Sequence, residues 1–532
     1  QQPILGPADI KHVVVIGIDG LSPDGIRKAN TPVLDKMITE GTIKWKVRTV
    51  LPSSSSPNWA SMIMGAGLEA HGILDNDWEK ENASLPPVTM GDSGLFPTIF
   101  SVVRRAQPKA EIGTVYHWGG FGRLVETEAL SYKKHIDSEE GATTDFVRYL
   151  EAKKPLFSFL HLDHVDGAGH GAGHGTEPYF ESITRADSLI GVVLKGLEKA
   201  GMMNNTTVII TSDHGGVGYG HGGASPEEAE IAMIFYGKGV KQGYQVKQQV
   251  YTYDLAASIA FALNITPPYV WTGRPVKSAF IGFAEPENLW LGKEVITAPV
   301  IYPDKHLFAK AGGLFHEAAT VKMESLPGTE IRYTLDGTTP VGSSTLYSAA
   351  FTLEKTTVVK AKSFDKNGNE SLINTAFFRL VKPGQGNGLK VNFYKGKDWI
   401  RLPDFTALKP NKQWESFEFR LERESIMPLL VKGNNFAASF DGFVDIEKDG
   451  EYTFYTQSDD GSQLYIGQQQ VVDNNDSHGV IERSGSITLK KGKHPIKVLY
   501  FNEGGGFWLD VFYSGPGLTK QILPADKVFL NK

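Results

Sequence analysis

The sequence of 532 residues contains no cysteine. Disulfides and thiolate metal sites are therefore excluded, and any metal must be held by imidazole and carboxylate. A chain without thiols tolerates reducing and oxidising compartments alike, so this absence does not locate it. No apolar run approaches the ~20 residues of a membrane span. Positive charge is not in excess: 54 Lys and Arg against 60 Asp and Glu leave a net charge of −6. That argues against nucleic acid as a partner, because a phosphate backbone calls for a basic patch. Low-complexity tracts and long-period repeats are also missing. What remains is 41% hydrophobic and 21% charged residues, the proportions of an ordinary globular protein. The length is too great for one core, and about two to four domains are expected. The chain opens on Gln1-Gln2-Pro3 rather than Met, which fits a mature end after signal removal and equally an engineered start.

The first part of the chain alternates apolar runs with amphipathic stretches. Strands are expected at Val13–Ile18, Ile112–Tyr116, Leu156–Leu160, Val208–Ile210 and Ile231–Phe235. Helices are expected at Asn58–Met64, Tyr179–Leu197 and Tyr253–Leu263. Strands spaced by helices predict an α/β domain with a central, mostly parallel sheet, here residues 1–297. From 298 to 382 short alternating segments separated by Asp336-Gly337 and Asn367-Gly368 predict a small antiparallel sandwich. The run 383–388, Pro-Gly-Gln-Gly-Asn-Gly, reads as a linker. A second all-β module, rich in aromatics and Asp/Asn/Gly turns, fills the rest of 383–532.

Chemistry concentrates in the first domain. Asp213 and His214 follow the run Val208-Ile209-Ile210, and His221 comes one glycine-rich loop later. Asp166 and His170 lie four apart, and Asp19 ends the run 13–18. In an open α/β sheet, ligands bind beyond the carboxyl ends of the strands. Asp19, Asp166 and Asp213 should therefore gather on one edge. Three Asp and three His make two half-shells of the oxygen and nitrogen donors that zinc prefers. His174, four residues beyond His170, is an alternative to it. Asp163 and His164 are expected near the site or in its loops, and His161 as a packing residue at a strand end. Between these groups lies Leu51-Pro-Ser-Ser-Ser-Ser-Pro57-Asn58-Trp59. Proline suits the first turn of a helix, and a serine just before it would sit among free backbone N–H groups at the positive helix end. A metal bound to that hydroxyl would generate the alkoxide. Two metals about 4 Å apart could clamp the attacking and leaving oxygens of an in-line displacement at phosphorus.

This set resembles the alkaline phosphatase superfamily, and most its type I phosphodiesterase/nucleotide pyrophosphatase branch, over roughly residues 10 to 290. The branch reads a nucleophile, one residue, then Pro-Asn, here Ser55-Ser56-Pro57-Asn58. It continues to His-Gly-Ile with Asn soon after, here His71-Gly72-Ile73 and Asn76. The resemblance implies an alkaline-phosphatase-like fold, with two Zn2+ or other divalent ions. One would be held by Asp166, His170 and His221, the other by Asp19, Ser55, Asp213 and His214. Ser55 would be the nucleophile, with Ser54 as the alternative, and Asn58 would donate to a phosphoryl oxygen. His71 would brace the nucleophile helix. Two departures stand out. The branch usually has Thr as nucleophile, and it usually carries a long insertion before its last ligand, where His221 follows His214 closely. The pocket must then be walled by other segments, such as 78–100 or 117–135.

The stretch Thr334-Leu-Asp-Gly-Thr-Thr-Pro340 resembles the C-terminal sandwich of chitobiases and hexosaminidases. The stretch 455–467, with Asp459-Asp460-Gly461, resembles the protective-antigen-type β-sandwich. That resemblance implies carbohydrate binding, in some members through Ca2+ held by paired Asp. Together these readings predict a secreted, periplasmic or cell-surface hydrolase of phosphate esters. Its substrate would be a small-molecule ester or a phosphorylated glycan, cleaved through a phosphoserine. Asn rather than Arg beside the nucleophile favours diesters, since a monoester dianion gains more from a bidentate guanidinium. The alternatives are a phosphomonoesterase, a sulfatase and a glycan-binding surface protein with a vestigial catalytic domain. Sulfatases carry Arg where Trp59 stands here.

Overall fold

The computed structural model describes residues 6–7, 9–307, 309–430 and 434–532. It divides between Leu291 and Gly292 into two compact units. The first is built on a mixed sheet containing β1 (His12–Ile18), β2 (Thr42–Arg48), β3 (Ile112–Tyr116), β4 (Tyr132–His135), β5 (Phe157–Leu162), β6 (Thr206–Thr211) and β7 (Glu230–Gly237). Their order across the sheet is β4-β3-β5-β1-β6-β7-β2, with two short edge pairings beyond β2. Strand β1 lies between β5 and β6 and runs parallel to both.

Its sequence explains that place. Side chains alternate across a strand. Val13 and Val15 enter the core on one face, and Val14, Ile16 and Ile18 enter the core on the other. A strand covered by apolar packing on both faces reads as an unbroken hydrophobic run. The expected mostly parallel sheet needs one adjustment: β7 is antiparallel to both β6 and β2. A parallel return needs a crossover, usually a full helix. Between β6 and β7 there is only the short helix Pro226–Ala229, and the chain there is largely the loop carrying Asp213, His214 and His221.

Gly17 in β1 is a point of close approach. A Cβ there would stand 2.6 Å from the Trp59 ring and 3.0 Å from Phe159. Gly17→Ala is expected to lower stability by about 1–3 kcal/mol. A fall in the urea midpoint at unchanged slope would register it; an unchanged midpoint would mean that the indole yields freely.

The second unit is all-β apart from short helical turns. Strands between 300 and 380 form a three-stranded and a five-stranded sheet around a core that includes Val321, Val359 and Phe378. Strands between 389 and 529 form a seven-stranded and a four-stranded sheet, with Phe393, Phe436, Tyr500 and Val511 between them. Among the described residues no helix is long and apolar enough to cross a membrane.

Candidate metal centre

Because β1 is flanked by β5 and β6, the residues just beyond these three strands emerge side by side. Asp19 follows β1, and its N–H donates to Leu162 O at the end of β5 (2.8 Å). Asp213 follows β6, and one of its oxygens accepts from Gly20 N (3.2 Å). After β5 the chain enters a helix, His164–Ala172. Asp166 and His170, four apart, therefore share one helical face. Gly20 has φ +71°, and a Cβ there would lie 2.8 Å from Asp166 Cα, so glycine is required where these elements meet.

Three imidazoles follow one rule. His214 Nδ1 pairs with Gly215 O (2.7 Å), His170 Nδ1 with Tyr219 O (2.7 Å) and His221 Nδ1 with Ser53 O (2.9 Å). A carbonyl only accepts, so each Nδ1 carries a hydrogen, and in the neutral imidazole the lone pair is on Nε2. These Nε2 atoms face carboxylates. His214 Nε2 is 3.2 Å from both Asp19 Oδ1 and Asp213 Oδ2. His170 Nε2 is 3.2 Å from Asp166 Oδ2, and His221 Nε2 is 3.7 Å from Asp166 Oδ1. The His214 and His221 rings stack with centroids 3.6 Å apart, so the two groups adjoin. Asp19 Oδ1, Asp166 Oδ1 and Asp213 Oδ2 are buried without hydrogen-bond partners. Buried carboxylate oxygens without donors, facing imidazole lone pairs, are the arrangement that a cation completes. Asp166, His170 and His221 form one set able to hold a metal, and Asp19, Asp213 and His214 another. Asp19, His161 and Asp163 form a third set.

The electrostatics carry the same conflict. Burial pushes the Asp213 carboxyl well above the usual range, and the charge of Asp19 adds to this. Asp19 is held low despite its burial, by the neighbouring imidazoles of His161 and His214. Burial opposes a charge on His214, but Asp213 and Asp19 outweigh it and push its pKa up to about 10. His221 is pushed down to about 4 by burial and by His214.

Ser55 begins the helix Ser55–Met64, and its Oγ lies 3.1 Å from His214 Nε2. Ser53 ties this segment to the histidine loop, donating to Gly223 O (2.7 Å) and accepting from Gly222 N (3.0 Å). The expectation for Asn58 is corrected. It is fully buried, and its amide donates to Val50 O, Pro52 O and Ser54 O while its carbonyl accepts from Val50 N. Its side chain braces the loop before Ser55 and has no donor left for a phosphoryl oxygen. Asn76 lies beside the same segment, with its Oδ1 accepting from Ser56 N (2.8 Å). The signal was present in the His71-Gly-Ile stretch, but sequence could not say which Asn approaches Ser55. His71 accepts from Ile73 N on Nδ1, so its Nε2 donates to Ser61 Oγ on the helix Ser55–Met64 (2.9 Å).

Other residues near the site fall as follows. His174 is buried with both ring nitrogens unpartnered, and its Nε2 is 4.0 Å from Asp166 Oδ1. Asp163 is pushed up to about 8 by burial and by Asp19 and Asp166. Arg123, from the segment 117–135, reaches Asn76 O (2.6 Å) and Ser56 Oγ (3.4 Å), with its charge paired to Glu79 (2.6 Å). In the second unit, Asp460 accepts from His478 N (2.9 Å) and Glu503 N (2.7 Å). Among the described residues no group of three metal donors forms around Asp459 and Asp460.

Fold and site together define an α/β domain with a cluster of Asp and His able to hold metal at the carboxyl edge of its sheet, facing a serine at a helix start. Residues 13–221 match the family model for type I phosphodiesterase/nucleotide pyrophosphatase. Residues 310–375 match the chitobiase/β-hexosaminidase C-terminal domain, and 424–527 the PA14 domain. The chain thus carries these three domains. Ectonucleotide pyrophosphatase/phosphodiesterase family member 3 of Mus musculus is 24% identical over 232 residues, covering 40% of this chain and 26% of that protein. Venom phosphodiesterase of Naja atra is 25% identical over 221 residues, covering 39% and 26%. The match to each of these relatives thus spans about a quarter of its length. Among solved structures, murine ectonucleotide pyrophosphatase/phosphodiesterase 5 in complex with AMP aligns at 18% identity and TM-score 0.43, over 51% of this chain and all of that one. A 2-O GAG sulfatase aligns at 16% identity and TM-score 0.44, over 68% of this chain and 85% of that one.

Proposed function

We propose that this chain is a two-zinc phosphodiesterase acting through a phosphoserine at Ser55. The observation that carries the reading is the convergence of the His170, His214 and His221 Nε2 atoms on the carboxylates of Asp19, Asp166 and Asp213, each of which has one buried oxygen without a partner, with Ser55 Oγ 3.1 Å from His214 Nε2. Asp166, His170 and His221 would hold one zinc, and Asp19, Ser55, Asp213 and His214 the other. Bound zinc would neutralise phosphoryl oxygens and lower the pKa of a coordinated hydroxyl. Ser55 Oγ bonds to phosphorus as the ester bond to the leaving oxygen breaks; the serine proton passes to solvent, and the leaving oxygen takes one up from it. Water then adds to the phosphoserine, releasing the phosphoryl group and restoring Ser55. Asn76 is held by its carbonyl on Ser56 N–H, and its NH2 group is free to donate to a phosphoryl oxygen. Helix N–H groups around Ser55 stabilise the same charge.

Diesters are favoured because Arg123, the guanidinium that reaches Ser56 Oγ, already pairs its two terminal nitrogens with Glu79 and Asn76. The chain is expected to cleave bis-p-nitrophenyl phosphate with kcat/KM at least about tenfold above p-nitrophenyl phosphate, the equivalent of ~1.4 kcal/mol. The reverse preference would make it a phosphomonoesterase. The relatives' names point to nucleotides, and the two β modules suit carbohydrate contact at an extracellular or surface location. A screen across nucleotide, glycerol, choline-like and glycan phosphodiesters decides the leaving group. Calcium at Asp459-Asp460 remains part of the proposal: backbone N–H groups take one lone pair on each Asp460 oxygen, and a carboxylate oxygen has two.

A further inference from the structure

We propose that Trp59 and His161 are positioning residues that fix Asp19 as a one-oxygen metal ligand; the inference rests on the two-metal reading above. Trp59 is fully buried, and its indole N–H donates to Asp19 Oδ2 at 2.9 Å. His161, also fully buried, places Nε2 3.3 Å from the same oxygen. Its Nδ1 has no partner, so the tautomer with hydrogen on Nε2 is the one this geometry satisfies. Two donors fill the two lone pairs of Oδ2. Oδ1 is left without a donor, 3.2 Å from His214 Nε2. The carboxylate can then neither rotate nor chelate.

The surrounding packing holds both donors in place. His161 lies between Trp59 (ring centroids 4.9 Å apart, 73°) and Phe121 (5.1 Å, 26°). Gly17 leaves room for the indole. Trp59 is also four residues beyond Ser55, on the same face of one helix. A single rigid element thus carries the nucleophile and aims the carboxylate that binds the nucleophile's metal. The third possible donor set, Asp19-His161-Asp163, is read here as hydrogen bonding rather than ligation, because Trp59 already donates to the Asp19 oxygen His161 faces.

The test is metal affinity and stoichiometry in the full chain, by Zn2+ competition with a chromophoric chelator. Wild type is compared with Trp59→Phe, His161→Phe and His161→Gln. Loss of an outer hydrogen bond to a ligand weakens metal binding by about 10–100-fold. Both Phe variants should weaken one metal by that factor and leave the other unchanged, which also certifies their folding. Gln restores an N–H donor and should bind within a few-fold of wild type. Wild-type affinities in both Phe variants, or loss of both metals together in each, would overturn the inference alone. A third equivalent in wild type that disappears in His161→Phe would also overturn it, by making His161 a ligand. Fewer than two metals on wild type would overturn the two-metal reading and this inference with it.

Discussion

Ser55→Ala will lose turnover by about 10³-fold or more and keep its metals. Four serines stand in sequence, and the fold separates them. Ser53 is spent on Gly222 and Gly223. Ser56 gives its N–H to Asn76, and its hydroxyl oxygen accepts from Arg123. Ser55 places its hydroxyl 3.1 Å from His214 Nε2. Deleting that oxygen removes the group that bonds to phosphorus, whereas the carboxylates and imidazoles stay anchored on the strand ends and backbone carbonyls. What activity remains reflects direct attack by water, helped by the same charge stabilisation. Ser54→Ala serves as the control and should stay within a few-fold of wild type. The decisive measurement is the single-turnover rate together with metal content. Wild-type rates in Ser55→Ala would move the nucleophile elsewhere, and a collapse of Ser54→Ala alone would place it at Ser54.

Some of this was readable in advance, for physical reasons. The run Val13–Ile18 announces a strand packed on both faces, and Asp19 at its end follows from the geometry of parallel sheets. Asp166 and His170 at helical spacing, and the Asp213-His214 pair after an apolar run, are local patterns. The direction of β7 was hidden, since Ile231–Phe235 reads the same whether parallel or antiparallel. The nucleophile helix starts at Ser55, ahead of the expected Asn58, because proline needs no N–H partner anywhere in a first turn. Asn58 misled because its role depends on the path of residues 50–54, not on its neighbours in sequence. The donors to Asp19 Oδ2 lie 40 and 142 residues away from it, and no local pattern connects them. Sequence thus exposes donors that cluster by strand-end logic, whereas the hydrogen bonds that orient them come from tertiary packing.

Removing the metals with a chelator will abolish turnover, Zn2+ will restore it, and the stability gained from metal will grow as pH rises. Without metal, His214 keeps its proton up to about 10, and Asp213 is held in its neutral form well above the usual carboxylate range. Both folded-state values are raised above the unfolded ones. The stability these groups lend the metal-free protein is therefore present below the unfolded values, near 6.5 for His214 and 3.8 for Asp213. It is lost as pH climbs through the raised values. Metal binding acts the other way, since the same two protons must leave before lone pairs can coordinate. Each proton released steepens metal affinity by about tenfold per pH unit. With free metal about 1,000-fold above its Kd, the stabilisation amounts to ~4 kcal/mol. Thermal melts of loaded and stripped protein across pH 6 to 9 should therefore separate progressively. Full activity after exhaustive chelation would refute the metal centre. A gap in Tm that narrows with rising pH would show that His214 and Asp213 are not the protons displaced.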